Sequence, residues 1–363
     1  MVKVNQSIQL KENFKLKNRL MMAPMTTSSA QSNGAISEED LEFFAHYSRG
    51  FSAIIVGSQA VSILGNAFAK GWEIYDEEVD SQLQKLVDVI HNNDAKAILQ
   101  LYHAGRLADP SLIRHHQPVA PSEVPIPRSF ASYPRKLSNL EIEQIIDDFC
   151  HATLKAIKLG YDGVEIHGAN TYLVQQFFSP HSNRRTDKWG GSFNRRTRFA
   201  RELITRMHQV IEKHTNEDFV LGFRFSPEEY ETPGIRMADT LKLLKILDEM
   251  PLDYLHISLS EYDKVSMDGI VIMDAIVSLN LSTPFIAGGG VRKTEDITQL
   301  LKLIPIISVA NAPIIDSEWA EKILANSDQI KEKNLMSELD SLHLPSGIKK
   351  IMTDYPTLYL INK

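Results

Sequence analysis

Polar side chains recur where short apolar runs of this chain end. The run from Leu20 leads into Ala23-Pro24-Met25-Thr26, and the run from Ser52 ends near Gly57-Ser58-Gln59-Ala60. A third run carries Gln100 among apolar residues and is followed by His103-Ala104-Gly105-Arg106. The fourth ends in His167-Gly168-Ala169-Asn170-Thr171-Tyr172, and the fifth sets Arg224 between Phe223 and Phe225. The last three end in His256 with Ser258, in Gly288-Gly289-Gly290, and in Ala310-Asn311. A single Gln or Arg in a strand is usually a structural hydrogen bonder. Several at equivalent positions imply a shared target, because an unpaired buried Arg is strongly destabilising. Gln100 and Arg224 therefore predict an anionic or richly hydrogen-bonding ligand. The glycine triplet suits close backbone approach to a phosphate, and a plain tight turn equally well. A second chemistry is open at the same place. Glu165 and His167 share a strand face by period two, and with His103 or His256 they could serve a metal-dependent hydrolase.

The elements that position these residues alternate regularly. Apolar runs begin near Leu20, Ser52, Lys96, Gly163, Phe219, Tyr254, Pro284 and Pro305. Each has the length of a strand and reads as continuously apolar, as parallel strands covered on both faces do. Helical spacing fills the gaps. One helix is capped by Ser37, with Glu38, Glu39 and Asp40 in its first turn, and stops at Gly50. Another starts at Ser138 with Glu141 closing a capping box, and ends at Gly160. Further helical patterns cover 77–92, 195–213, 237–250, 293–302 and 317–326, with a shorter one near Met273. Strand and helix thus alternate eight times, which predicts an α/β fold, a single (β/α)8 TIM barrel. An open doubly wound sheet is the runner-up, but no G-x-G-x-x-G follows an early strand. The connections 104–137 and 179–194, after strands three and four, are long enough to build or cover an active site. The barrel is expected to fill 1–330, with 331–363 an extension packed on or near it.

Composition narrows the partners. The 363 residues carry 39 Lys plus Arg against 46 Asp plus Glu, a net charge of -7, which argues against bulk nucleic acid. One cysteine, Cys150, excludes an internal disulfide, a four-cysteine iron–sulfur site and a cysteine zinc cluster. No signal peptide is evident and no run approaches a membrane span, so the chain reads as soluble and cytoplasmic. Oligomeric state is left open, a homo-oligomer included.

Taken together, these motifs resemble the Old Yellow Enzyme family of FMN-dependent NAD(P)H oxidoreductases. The resemblance runs from about Asn18 to Trp319. It is carried by Asn18-Arg19 through Thr26, Gln100 with His103-Ala104-Gly105-Arg106, Gly163 to Tyr172, Phe177 to Pro180, and Arg184 to Arg195. It implies FMN as cofactor, NADH or NADPH as electron donor, and a small electrophilic substrate: an enone, a quinone or a nitro compound. By resemblance, Pro24, Met25, Thr26 and Ala60 lie against the flavin. Gln100 and Arg224 take its pyrimidine edge, where a fixed guanidinium stabilises the charge of the reduced ring. His167 and Asn170 correspond to the pair that binds the substrate oxygen, and Tyr172 to the proton donor. Gly289 and Gly290, with Ala310 and Asn311, correspond to the phosphate cradle. No metal is implied. The chain departs from the family at one point: Ala310-Asn311 stands where Gly-Arg is usual, so the arginine that pairs the phosphate is missing. A barrel that has lost FMN and acts as a binding protein is the other alternative.

Overall fold

A computed structural model describes all residues except 1, 70, 114, 116, 127–132, 216–217, 328, 333, 356–360 and 363. Parts of the connection 104–137 and of the tail 331–363 therefore lie outside the described residues. Eight parallel strands close into a barrel. They are β1 (Leu20–Met22), β2 (Ala53–Ala60), β3 (Lys96–Tyr102), β4 (Gly163–Gly168), β5 (Val220–Phe225), β6 (Tyr254–Ile257), β7 (Phe285–Ala287) and β8 (Ile306–Val309). Each pairs with its neighbour in sequence, and β8 pairs with β1 to close the ring. The continuous apolar runs follow from this arrangement, because both faces of every strand are covered.

The surrounding layer holds α1 (Glu38–Tyr47), α2 (Asp80–His91), α3 (Asn139–Lys158), α4 (Leu173–Phe178), α5 (Phe193–Arg196), α6 (Arg198–His214), α7 (Met237–Asp248), α8 (Ile272–Val277), α9 (Thr294–Leu300), α10 (Asn311–Ile315) and α11 (Trp319–Leu324). Ser37 caps α1 by accepting the Asp40 N–H, and the Asp40 carboxylate returns to the Ser37 N–H. Ser138 and Glu141 close the same box on α3. The pattern expected over 195–213 is divided at Thr197 into α5 and α6, and the short α10 precedes the helix expected over 317–326. Periodicity cannot show such breaks, since apolar spacing continues across them.

Two features close the barrel ends. A two-stranded hairpin, Ile8–Lys11 with Phe14–Leu16, covers the N-terminal end. Phe14 and Leu16 pack there with Met21, Ile55, Ile98, Val220 and Ile286. At the other end the two long connections are tied together by buried Arg185. It donates to the Leu137 carbonyl at 2.6 Å and the Pro121 carbonyl at 3.1 Å, and it pairs with Asp187. A last helix, α12 (Ser346–Asp354), docks beside α1: the Ser346 N–H donates to Glu39 and the Gly347 N–H to Ser29, while Ile348 and Met352 enter the core.

Phe14 is 2 % exposed and has no alternative apolar surface to cover. Phe14→Ala is therefore expected to lower unfolding free energy by about 3–5 kcal/mol in denaturant titration. A loss under about 1 kcal/mol would show that the hairpin does not seal the barrel.

Candidate active site

The C-terminal half of the barrel interior is polar. Glu165 of β4 is fully buried, and both its oxygens are held. Gln100 Nε2 on β3 donates to Oε1 at 2.6 Å, and His256 Nδ1 on β6 lies 2.9 Å from Oε2. His256 Nε2 in turn meets Ser308 Oγ of β8 at 2.9 Å. Burial alone would raise the Glu165 carboxyl, but His256, the Arg224 guanidinium and Gln100 outweigh it and hold it below its ordinary value. Burial and Arg224 lower His256 against the opposing pull of Glu165, so the ring is neutral. Its proton therefore sits on Nδ1, facing Glu165, and Nε2 accepts from Ser308. β5 passes between β4 and β6 and presents Gly222 beside Glu165. A Cβ there would collide with the ring of Tyr254, so glycine is what lets Tyr254 fill this layer.

Above this floor sits Arg224. Its neighbours leave the residue partly exposed at the mouth, so it is not sealed in the core as its flanking phenylalanines suggest. Its Nε is buried without a hydrogen-bond partner among the described residues. Burial lowers the guanidinium's pKa, opposed by Glu165. Gln100 commits its Nε2 to Glu165, and its carbonyl oxygen lies by Gly57, 3.2 Å from where a Cβ would stand. Pro24 and Gln100 approach each other across Gly57, where a Cβ would lie 2.8 Å from Gln100 Cβ and 3.1 Å from Pro24 Cβ. Pro24, Met25 and Thr26 are all partly exposed at this edge.

The rim opposite is the loop after β4. His167 is 3 % exposed, and its Nδ1 accepts the Ala169 N–H at 3.3 Å. Burial, then Arg224 and His256, lower its pKa well below the usual range. The ring is neutral and carries its proton on Nε2, a ready donor. Asn170 and Thr171 adopt φ of 54° and 67°, unusual for non-glycine residues and most of all for a β-branched one. The surroundings hold them there. Ser226 Oγ accepts the Asn170 N–H at 2.9 Å, Gln175 Oε1 accepts the Thr171 N–H at 3.0 Å, and Gln176 Nε2 donates to the Thr171 carbonyl at 2.7 Å. Gln175 is itself fixed by buried Glu229, 2.9 Å away. Ser258 Oγ donates to Asn170 Oδ1 at 3.1 Å, which leaves the Asn170 amide N–H groups outward. Tyr172 stands edge-on to His167 at 4.7 Å and to Tyr102 at 5.1 Å between ring centroids. A cavity of about 680 Å³ opens beside this rim, lined by Asn170, Ser226, Glu228, Tyr230, Ser258 and Lys264.

Not every residue singled out in the sequence reaches this mouth. Ala60 is fully buried in an aromatic cluster with Tyr102, Phe68 and Tyr172, and its N–H and carbonyl pair with Trp72 and Ile74. Gly289 and Gly290 have φ of 107° and 66° and lie after β7. A Cβ on Gly290 would collide with the Glu261 carboxylate, so this cradle carries a negative neighbour. Ala310 ends β8 and exposed Asn311 opens α10. His103 belongs to the wall: burial pushes it down to about 3, and its Nδ1 accepts the Gly105 N–H. Sequence reasoning missed the roles of Ser226, Ser258, Glu229 and Ser308, which are polar groups on separate strands and loops with no local pattern. Tyr102 is buried in the same aromatic cluster as Ala60. Its hydroxyl accepts the Ala67 N–H at 3.1 Å and pins the loop carrying Phe68. Among the described residues no group of three or more His, Cys, Asp or Glu is arranged to hold a metal ion. Glu165, which the hydrolase reading would use as a ligand, is instead bonded to Gln100 and His256.

Fold and mouth define a parallel eight-stranded barrel with a polar C-terminal end. The family model described as NADH:flavin oxidoreductase / NADH oxidase matches residues 4–329, and the chain belongs to that family. It is 40% identical over 98% of its length to an NADH:acrylate oxidoreductase of Vibrio harveyi, and 38% identical over 95% to an NADH:fumarate oxidoreductase of Klebsiella pneumoniae. It spans only 36% and 38% of those two proteins. A probable NADH-dependent flavin oxidoreductase of Bacillus subtilis matches along nearly its whole length, 33% identical over 93% of this chain and 92% of its own. The structure of morphinone reductase in complex with tetrahydroNAD superposes with a TM-score of 0.81, 21% identity, and coverage of 100% of this chain and 98% of that one, which establishes the shared barrel. The chain is thus an oxidoreductase of the FMN-linked NADH:flavin oxidoreductase family. No helix among the described residues is long and apolar enough to cross a membrane.

The mouth fits the pyrimidine end of FMN, since the buried Arg224 Nε has no hydrogen-bond partner among the described residues. The phosphate end fits less well, with neutral Asn311 and the Glu261 carboxylate against Gly290. A charge-assisted hydrogen bond contributes about 1.5–3 kcal/mol. Asn311→Arg is therefore expected to tighten FMN at least tenfold in a fluorescence titration. An unchanged Kd would show that backbone groups already satisfy the phosphate.

Proposed function

We propose that this protein reduces activated alkenes, with quinones and nitro compounds as further acceptors, at the rim formed by His167, Asn170 and Tyr172. The observation that carries this reading is that His167 Nδ1 accepts the Ala169 N–H and Asn170 Oδ1 accepts from Ser258, so that Nε2 and the Asn170 amide nitrogen are the donors these two side chains can offer a ligand. When bound, FMN would supply the hydride-transfer chemistry between NADH or NADPH and the β-carbon of the acceptor. The protein's part is electrostatic and protonic. Pro24, Met25 and Thr26 would line the ring, Gln100 and Arg224 would hold its pyrimidine edge, and Gly289, Gly290, Ala310 and Asn311 would receive the phosphate. His167 Nε2–H and the Asn170 amide donate to the substrate carbonyl oxygen, where negative charge develops in the transition state. Both are pre-set by protein bonds, so little reorganisation accompanies the reaction. The Tyr172 phenol gives its proton to the α-carbon as general acid. The relatives named for acrylate and fumarate support an alkene acceptor. In domain terms we propose a barrel over 1–330 that contains the whole site, with 331–363 as an appended tail.

Tyr172→Phe separates the acceptor classes. General acid catalysis contributes about 10²–10⁴ in rate. The variant is expected to lose that factor when the reduced enzyme is oxidised by an enone in stopped flow. A quinone, which takes its protons on oxygen from solvent, should be reduced at nearly the wild-type rate. Equal rates of enone reduction in the two proteins would remove Tyr172 as donor.

A further inference from the structure

The mouth residues are held by a charge that no substrate touches. Glu165 is fully buried, accepts from Gln100 at 2.6 Å and from His256 at 2.9 Å, and lies in the field of Arg224. We infer that Glu165, braced by His256 and Ser308, is a positioning residue that orients the Gln100 amide and sets the reduction potential of the flavin held above it. The inference rests on the FMN reading above and deepens it.

Two physical effects support it. The first is orientation. A glutamine amide can present either its oxygen or its nitrogen, and the two faces are isosteric. A carboxylate only accepts, so Glu165 claims the Gln100 Nε2 and leaves the carbonyl, beside Gly57, as the group a ligand can meet. The pyrimidine edge of a flavin carries one N–H donor between two carbonyl acceptors, and the fixed carbonyl of Gln100 matches that donor. The second effect is charge. Arg224 favours the anionic reduced flavin, and a carboxylate behind it offsets part of that field. The offset is strong because no water enters: Glu165 and His256 are both 0 % exposed. His256 keeps the charge on Glu165, since it is neutral and donates through Nδ1 while Ser308 satisfies its other nitrogen. Glu165 thus holds the potential below what Arg224 alone would give.

The test uses the full chain loaded with FMN. Glu165→Gln keeps the shape of the side chain, removes the charge and can donate as well as accept. Dye-equilibration redox titration is expected to show a positive shift of at least ~30 mV, the tenfold change in the two-electron equilibrium constant. Fluorescence titration is expected to show weaker binding of oxidised FMN, as Gln100 loses its imposed orientation. Glu165→Asp restores the charge and is expected to bring the potential back within a threefold change in that constant. If Glu165→Gln does not fold, His256→Leu removes a donor from the carboxylate, favours its protonation and should shift the potential the same way. Wild-type protein that takes up no FMN would overturn the functional reading itself. Wild-type protein that binds FMN, beside folded Glu165→Gln or His256→Leu with an unchanged potential, would overturn this inference alone.

Discussion

A carboxylate without access to water has to be held charged by its own fold, and the rest of this site is arranged around Glu165. Its partners come from different strands: Gln100 from β3, His256 from β6 and, through His256, Ser308 from β8. Removing any one would leave a buried polar group unpaired, which is more destabilising than never having the network. The network therefore ties the register of strands that are not neighbours. It also fixes what the mouth presents, a carbonyl from Gln100 and a guanidinium from Arg224. The barrel divides into an apolar half sealed by Phe14 and Leu16 and a polar half at the C-terminal mouth. Gly222 and Tyr254 lie at that boundary, where the missing glycine side chain makes room for a phenol.

The rim is fixed by a different device. Asn170 and Thr171 sit in backbone conformations that most residues avoid, and they persist because Ser226, Gln175 and Gln176 bond their peptide groups. Glu229 secures Gln175, so the loop after β5 controls the loop after β4. Floor and rim meet at His167, whose neutrality follows from burial and from the positive field of Arg224. Burial first, and the Arg224 guanidinium with it, keeps the neighbouring imidazole uncharged.

Much of the barrel was legible because parallel strands covered on both sides leave uninterrupted apolar runs, such as those at Lys96 and Gly163. Helix starts were legible because Ser37 and Ser138 carry their capping partners three residues on. The hairpin plug was not, since a two-strand alternation around Phe14 is too short to stand out. At the site, Gln100, His167, Asn170 and Arg224 were marked by polar chemistry at strand ends. Glu165 and His256 were legible as polar strand residues, but their pairing was not. They are 91 positions apart, and only barrel closure brings them to 2.9 Å. Ala60 was legible only through its family position, while its packing among aromatic rings and its backbone pairing with Trp72 and Ile74 depend on the fold.

The account stands on a flavin seated at the mouth with its pyrimidine edge on Gln100 and Arg224. An anaerobic titration of FMN-reconstituted protein with NADH and with NADPH addresses it most directly. It should give one FMN per chain, bleached by one equivalent of reduced nicotinamide. A chain that takes up no flavin, or a bound flavin that stays oxidised with both donors, would contradict it.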